Sequence, residues 1–159
     1  VTIQTIDHRL SEIFGDHLEQ FHHILEQTQA VISGGFLLQC LLGQSWKGSD
    51  IDLYLNNHQD RSRQLETFLQ KEMHSDLHEI ISYRFRKQCD NQITEHTLPG
   101  GTRLQVIRIK IDPSPPNFMV HFIRSSFDFD VCMNLYAITD HTKTLSCYAL
   151  NGIMNYLFS

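Results

Sequence analysis

Apolar residues recur at Leu10, Ile13, Phe14, Leu18, Phe21 and Leu25, a three-and-four spacing that predicts an amphipathic helix from residue 10 to about residue 27. Ala30, Val31 and Ile32 form a short apolar run that stops at Ser33-Gly34-Gly35, and the helix formers from Phe36 to Leu42 then run up to Gly43. This reads as strand, glycine turn and helix, with Gly43 as the stop because glycine accepts the left-handed conformation that ends helices. After a polar loop over residues 45–49, the run Asp50-Ile51-Asp52-Leu53-Tyr54-Leu55 alternates strictly, which predicts a strand with Ile51, Leu53 and Leu55 turned to the core. Leu65, Phe68, Leu69 and Met73 are the stripe of a second helix over residues 60–73, with Asp60 or Ser62 as its cap.

Farther along, Ile81, Tyr83 and Phe85 alternate with polar partners and predict a strand over residues 79–87. The turn sequence Leu98-Pro99-Gly100-Gly101 leads into an apolar strand over residues 104–111, so the two strands are expected to form a hairpin. Pro113, Pro115 and Pro116 interrupt the sheet, a short helix follows over residues 116–124, and residues 127–132 alternate once more. The apolar tail over residues 145–158 reads as a strand and a short helix. Interleaved strands and helices with at least one hairpin predict an α/β or α+β fold, a mixed β-sheet with flanking helices.

Composition narrows the picture. Hydrophobic residues at 41% and charged residues at 19% suit a globular domain, and the 159-residue length suits a single domain over residues 1–159, although a first residue of Val leaves room for a longer parent chain. No apolar run reaches the roughly 20 residues of a membrane span, and no secretory signal opens the sequence. Cys40, Cys89, Cys132 and Cys147 lack paired spacing, which fits reduced thiols in an intracellular, cytoplasmic protein. A net charge of −5 opposes binding of nucleic acid over the whole surface and leaves one candidate basic strip, Arg84, Arg86 and Lys87 with Arg103, Arg108 and Lys110.

The chemistry concentrates around the first alternating strand. Residues two apart on a strand share a face, so Asp50 and Asp52 present paired carboxylates, which repel unless a cation sits between them. A hard divalent ion is the natural solution, because Mg²⁺ takes one or two carboxylates and completes its shell with phosphate oxygens and water. Gly34-Gly35 lies between a strand and a helix, where absent side chains let a phosphate approach backbone N–H groups at the helix start. A triphosphate spanning the two would be placed for in-line attack at its α-phosphorus. Ser49, beside Asp50, is a candidate to touch a phosphate or orient the first carboxylate.

The arrangement Ile32-Ser33-Gly34-Gly35, helix, loop, Ser49-Asp50-Ile51-Asp52-Leu53 resembles the signature of the nucleotidyltransferase superfamily typified by DNA polymerase beta. The run from Gly34 to Gly43 looks particularly like that of tRNA CCA-adding enzymes and bacterial-type poly(A) polymerases, and Phe127-Asp128-Phe129-Asp130-Val131-Cys132-Met133-Asn134 is similar to nucleotidyltransferase-like proteins of large DNA viruses. The resemblance implies a nucleotidyltransferase-like fold and transfer of a nucleoside monophosphate from a nucleoside triphosphate such as ATP to a hydroxyl on RNA, protein or a small molecule. It implies two Mg²⁺ or Mn²⁺ ions held by Asp50, Asp52 and a third strand carboxylate, Asp128, with Asp130 on the same face as the alternative. It also implies nucleotide binding by Gly34, Gly35 and Ser49. A non-catalytic domain of the same fold, serving nucleotide sensing or assembly, is the second reading.

Overall fold

The computed structural model describes residues 3–46, 50–56, 58–86, 89–109 and 134–147, with the backbone alone for Gln59, residues 79–86 and residues 89–91. Helix α1 (Ile3–Phe14) and helix α2 (Leu18–Thr28) precede strand β1 (Val31–Ser33), helix α3 (Gly35–Leu42) and strand β2 (Ile51–Asn56). Helix α4 (Gln59–Thr67) continues as a wider π-type turn (Phe68–Glu72). Strands β3 (Asp76–Arg86), β4 (Cys89–Thr97), β5 (Arg103–Ile109), β6 (Asn134–Thr139) and β7 (Thr142–Cys147) follow. The strands lie in the order β3-β4-β5-β2-β1-β6-β7. Only the β2–β5 pairing is parallel among the described strands, so the sheet is mixed, as expected.

The alternation in β2 is realised in full. Ile51, Leu53 and Leu55 are buried in the main core, while Asp52, Tyr54 and Asn56 on the other face are only partly covered. The core face of β2 is met by Leu104 and Val106 of β5 and by residues from all four helices, among them Leu10, Phe21, Leu37 and Leu65. The predicted stripe Leu65, Phe68, Leu69 and Met73 is buried as well. Phe14 and Phe21 stack with ring centroids 3.9 Å apart, and Phe68 closes on both at 6.1–6.4 Å. Tyr136 of β6 donates to Asp7 at 2.7 Å, and Lys143 of β7 pairs with the same carboxylate at 2.6 Å, tying α1 to that end of the sheet.

Several boundaries differ from the sequence pattern. The first helix starts at Ile3 and breaks at Gly15, which takes φ +55 and turns the chain so that α1 and α2 both reach the core. Neither Asp60 nor Ser62 caps α4. Its cap residue is His58, without a side-chain bond, and Ser62 instead accepts from Arg108 at 2.6 Å. The turn at residues 98–101 joins β5 to β4 rather than to the strand over residues 79–87. Strand β6 pairs with β1 and lies beyond the alternation at residues 127–132. The predicted helix over residues 116–124, the strand over 127–132 and the tail beyond residue 147 lie outside the described residues. Cys40 is a buried free thiol, and no helix among the described residues is long and apolar enough to cross a membrane.

Candidate active site

Three consecutive elements converge where β1 ends. Ser33, the last residue of β1, stands opposite Asp52 in the antiparallel β1–β2 ladder. Gly34 follows at φ +79 and ψ −155, a region that is essentially glycine-only, and α3 begins with Leu38 N–H donating to the Gly34 carbonyl at 3.2 Å. The strand-to-helix corner is so close to β2 that a Cβ on Gly34 would lie 2.5 Å from the Asp52 Oδ2. Glycine is therefore demanded twice at this position, by the dihedral and by the carboxylate packed against it. An added Cβ on Gly35 would meet nothing within 4 Å, so that side of the turn is open. Gly34 makes way for Asp52, and the open space of the turn lies at Gly35.

Asp50 stands immediately before β2. Its Oδ1 is 2.9 Å from the Nε of Arg103, and its Oδ2 accepts from the Gln105 amide at 3.2 Å, both partners belonging to β5. Parallel pairing produces this meeting, because register Ile51↔Leu104 and Asp52↔Gln105 brings the start of β5 beside the start of β2. Asp52 is partly buried. Burial, and then the charge of Asp50, push its carboxyl from the ordinary 3.8 up to about 7. Two carboxylates in these positions form a donor set suited to a hard cation, which would relieve the desolvated charge on Asp52. Arg103 is the group such a cation would have to share Asp50 with. Among the described residues no three His, Cys, Asp or Glu side chains gather into a metal-binding cluster.

Ser49, Asp128 and Asp130 lie outside the described residues. Asn134, where the chain enters β6, is nevertheless beside the site, since the Ser33 hydroxyl donates to its carbonyl at 2.5 Å and Ser33 is the ladder partner of Asp52. The proposed basic strip is not a surface feature at Arg108. This side chain is buried and ion-paired with Glu66, because its β5 position is the register partner of core-facing Leu55. Arg103 is half-exposed and committed to Asp50, with Glu95 at 4.0 Å. Lys87 and Lys110 lie outside the described residues. Sequence reasoning missed Arg103 and Gln105 as partners of the carboxylates. The register of two strands alone would have revealed them, and that is not readable from alternation.

Comparison with solved structures assigns the fold. The chain is similar to a CCA-adding enzyme in complex with CTP, with a TM-score of 0.60 and 15% identity over 98% of this chain and 35% of that one. It is also similar to apo form I of a CCA-adding enzyme, with a TM-score of 0.55 and 16% identity over 92% and 33% of the two chains. The CCA-adding enzyme of Thermotoga maritima complexed with tRNA follows, with a TM-score of 0.50 and 15% identity over 85% and 29%. The fold is thus nucleotidyltransferase-like, and the chain spans about a third of the length of these enzymes. No curated protein matches the sequence. The family model described as Gad2, Gabija anti-defense 2 family protein, matches residues 3–155.

Proposed function

We propose that this chain, which belongs to the Gabija anti-defense 2 family, is a metal-dependent nucleotidyltransferase, and that the counter-defence in the family's name is exerted through transfer of a nucleotide. The observation that carries the reading is the packing of Gly34 against Asp52, next to Asp50, at the same strand-to-helix corner that opens α3. The turn needs glycine for its dihedral, and a carboxylate packed against it beside Asp50 is costly to leave ionised without a cation nearby.

In this reading Asp50, Asp52 and Asp128, with Asp130 as the alternative third carboxylate, hold Mg²⁺ or Mn²⁺. When bound, the ions supply positive charge against the triphosphate and lower the pKa of the attacking hydroxyl. The open side of the Gly34-Gly35 turn receives the phosphates on backbone N–H groups at the start of α3, and Ser49 orients them or Asp50. The acceptor hydroxyl oxygen forms a bond to the α-phosphorus while the bond from that phosphorus to the β-phosphate oxygen breaks. Pyrophosphate leaves, and the hydroxyl proton passes to solvent. The CCA-adding structures hold CTP and tRNA, which makes a nucleoside triphosphate and RNA the first ligands to test here, with protein and small-molecule hydroxyls beside them as acceptors.

One observation favours a second reading, in which the fold binds a nucleotide without transferring it: Arg103 already supplies a cation to Asp50. Incubation with α-labelled nucleoside triphosphates, Mg²⁺ or Mn²⁺ and mixed RNA and protein distinguishes the two. Label transfer that disappears in Asp50→Asn and Asp52→Asn supports transfer, whereas nucleotide bound and no label moved supports the binding domain.

A further inference from the structure

The loop that links α3 to β2 carries the chain's only tryptophan, and the fold does not bury it. Trp46 is 41% exposed and, with Leu77, is one of two large hydrophobic side chains left open among the described residues. An indole left 41% open offers a broad apolar face to a planar ligand. The Trp46 N–H donates to the Gln39 side-chain carbonyl at 2.7 Å, and the indole Nε1–H donates to the exposed Gln44 side chain at 2.9 Å. Gln39 is itself buried at 3% exposure, and its amide nitrogen donates back to the Gly35 carbonyl at 3.2 Å. A single glutamine side chain therefore couples the Trp46 backbone to the first turn of α3, the turn with the open side beside Asp52. Along the chain Trp46 is four residues from Asp50, so their Cα atoms are no more than about 14 Å apart.

We propose that the Trp46 indole is a stacking platform for a nucleobase brought to the Asp50–Asp52 corner. The inference rests on the nucleotidyl-transfer reading for the ligand class and adds a base-recognition element to it. A half-open aromatic face whose backbone is tied to the corner suits a planar π-system, and stacking tolerates any base. The base belongs either to the triphosphate or to a single-stranded acceptor.

Because Trp46 is the only tryptophan, its fluorescence reports on the platform directly in the full chain. ATP, CTP, GTP, UTP, a short single-stranded oligoribonucleotide and inorganic tripolyphosphate are titrated in turn, and affinities for Trp46→Ala and Trp46→Phe are obtained by calorimetry. Base-bearing ligands are expected to quench the indole and tripolyphosphate to leave it unchanged. Trp46→Ala is expected to weaken base-bearing ligands roughly 5- to 100-fold, with tripolyphosphate affinity kept and Trp46→Phe close to wild type. Quenching by free triphosphates assigns the base to the donor, and quenching by the oligoribonucleotide alone assigns it to the acceptor. No quenching by any base-bearing ligand, or equal affinity in Trp46→Ala, overturns the proposal. Since the backbone rather than the indole bonds Gln39, Trp46→Ala keeps that tie; if it nevertheless melts early, the wild-type quenching and Trp46→Phe decide. Base-dependent quenching without label transfer removes the transferase reading and keeps the platform, while label transfer with base affinity untouched by Trp46→Ala removes the platform alone.

Discussion

At the scale of single residues, the site hangs on how little room β2 leaves around one carboxylate. Gly34 tolerates a dihedral region closed to other residues and stands where a methyl would meet Asp52 Oδ2. Gly34→Ala is therefore expected to lower unfolding free energy by about 1–3 kcal/mol through backbone strain alone, and more through displacement of Asp52. Gly35→Ala, with open space around it, should stay much nearer to wild type. Urea unfolding of the two variants side by side checks this, and equal losses would mean that the close approach at Gly34 does not matter. The Asp-x-Asp pair and the glycine pair were legible from sequence because each is a local pattern. Arg103 and Gln105 were not, because their meeting with Asp50 depends on the β2–β5 register, a long-range choice.

At the scale of elements, α4, β4 and β5 are joined by a buried polar knot. Arg108 bonds Glu66, Thr94 and Ser62, and His96 lies 2.9 Å from Glu66 and 3.0 Å from Ser75. This knot explains why β4 escaped the sequence pattern. Its inward positions are Thr94 and His96 rather than apolar residues, so the strand Cys89–Thr97 shows no alternation of hydrophobicity. The strand β2 and the helix α3 with its stop at Gly43 were readable because their inward faces are apolar or their ends are marked by glycine. Arg108→Met strands the Glu66 carboxylate in the interior and should cost about 3–5 kcal/mol, whereas Arg108→Met combined with Glu66→Leu should recover much of the loss. Equilibrium unfolding of the single and double variants tests it, and a double variant worse than the single would show that the knot acts through something other than charge pairing.

At the scale of the molecule, two desolvated groups pull the pH dependence of stability in opposite directions. Desolvation lowers His96 to about 4; Arg108 neutralises Glu66, so the nearby carboxylate does not reverse this. A depressed histidine contributes stability present above its unfolded value of about 6.5 and lost as pH falls toward 4. Asp52, raised to about 7, contributes stability present below 3.8 and lost as pH rises toward 7, on the order of 4 kcal/mol in the metal-free protein. Chemical denaturation in EDTA across pH 5 to 8.5 should show Asp52→Asn gaining on wild type as pH rises. Mg²⁺ should close that gap by stabilising the wild type. A gap that does not change with pH would mean that Asp52 is not a desolvated charge awaiting a cation. The nucleotidyltransferase-like fold, the mixed sheet and the carboxylate strand were all within reach of the sequence, while membership in the Gabija anti-defense 2 family came from comparison alone. Parallel incubation with α-labelled and γ-labelled nucleoside triphosphate, Mg²⁺ and mixed acceptors tests the transfer itself. Nucleotidyl transfer puts α-label on an acceptor and γ-label in free pyrophosphate, both lost in Asp52→Asn. Transfer of the γ-label, or bound nucleotide with neither label moved, would contradict it.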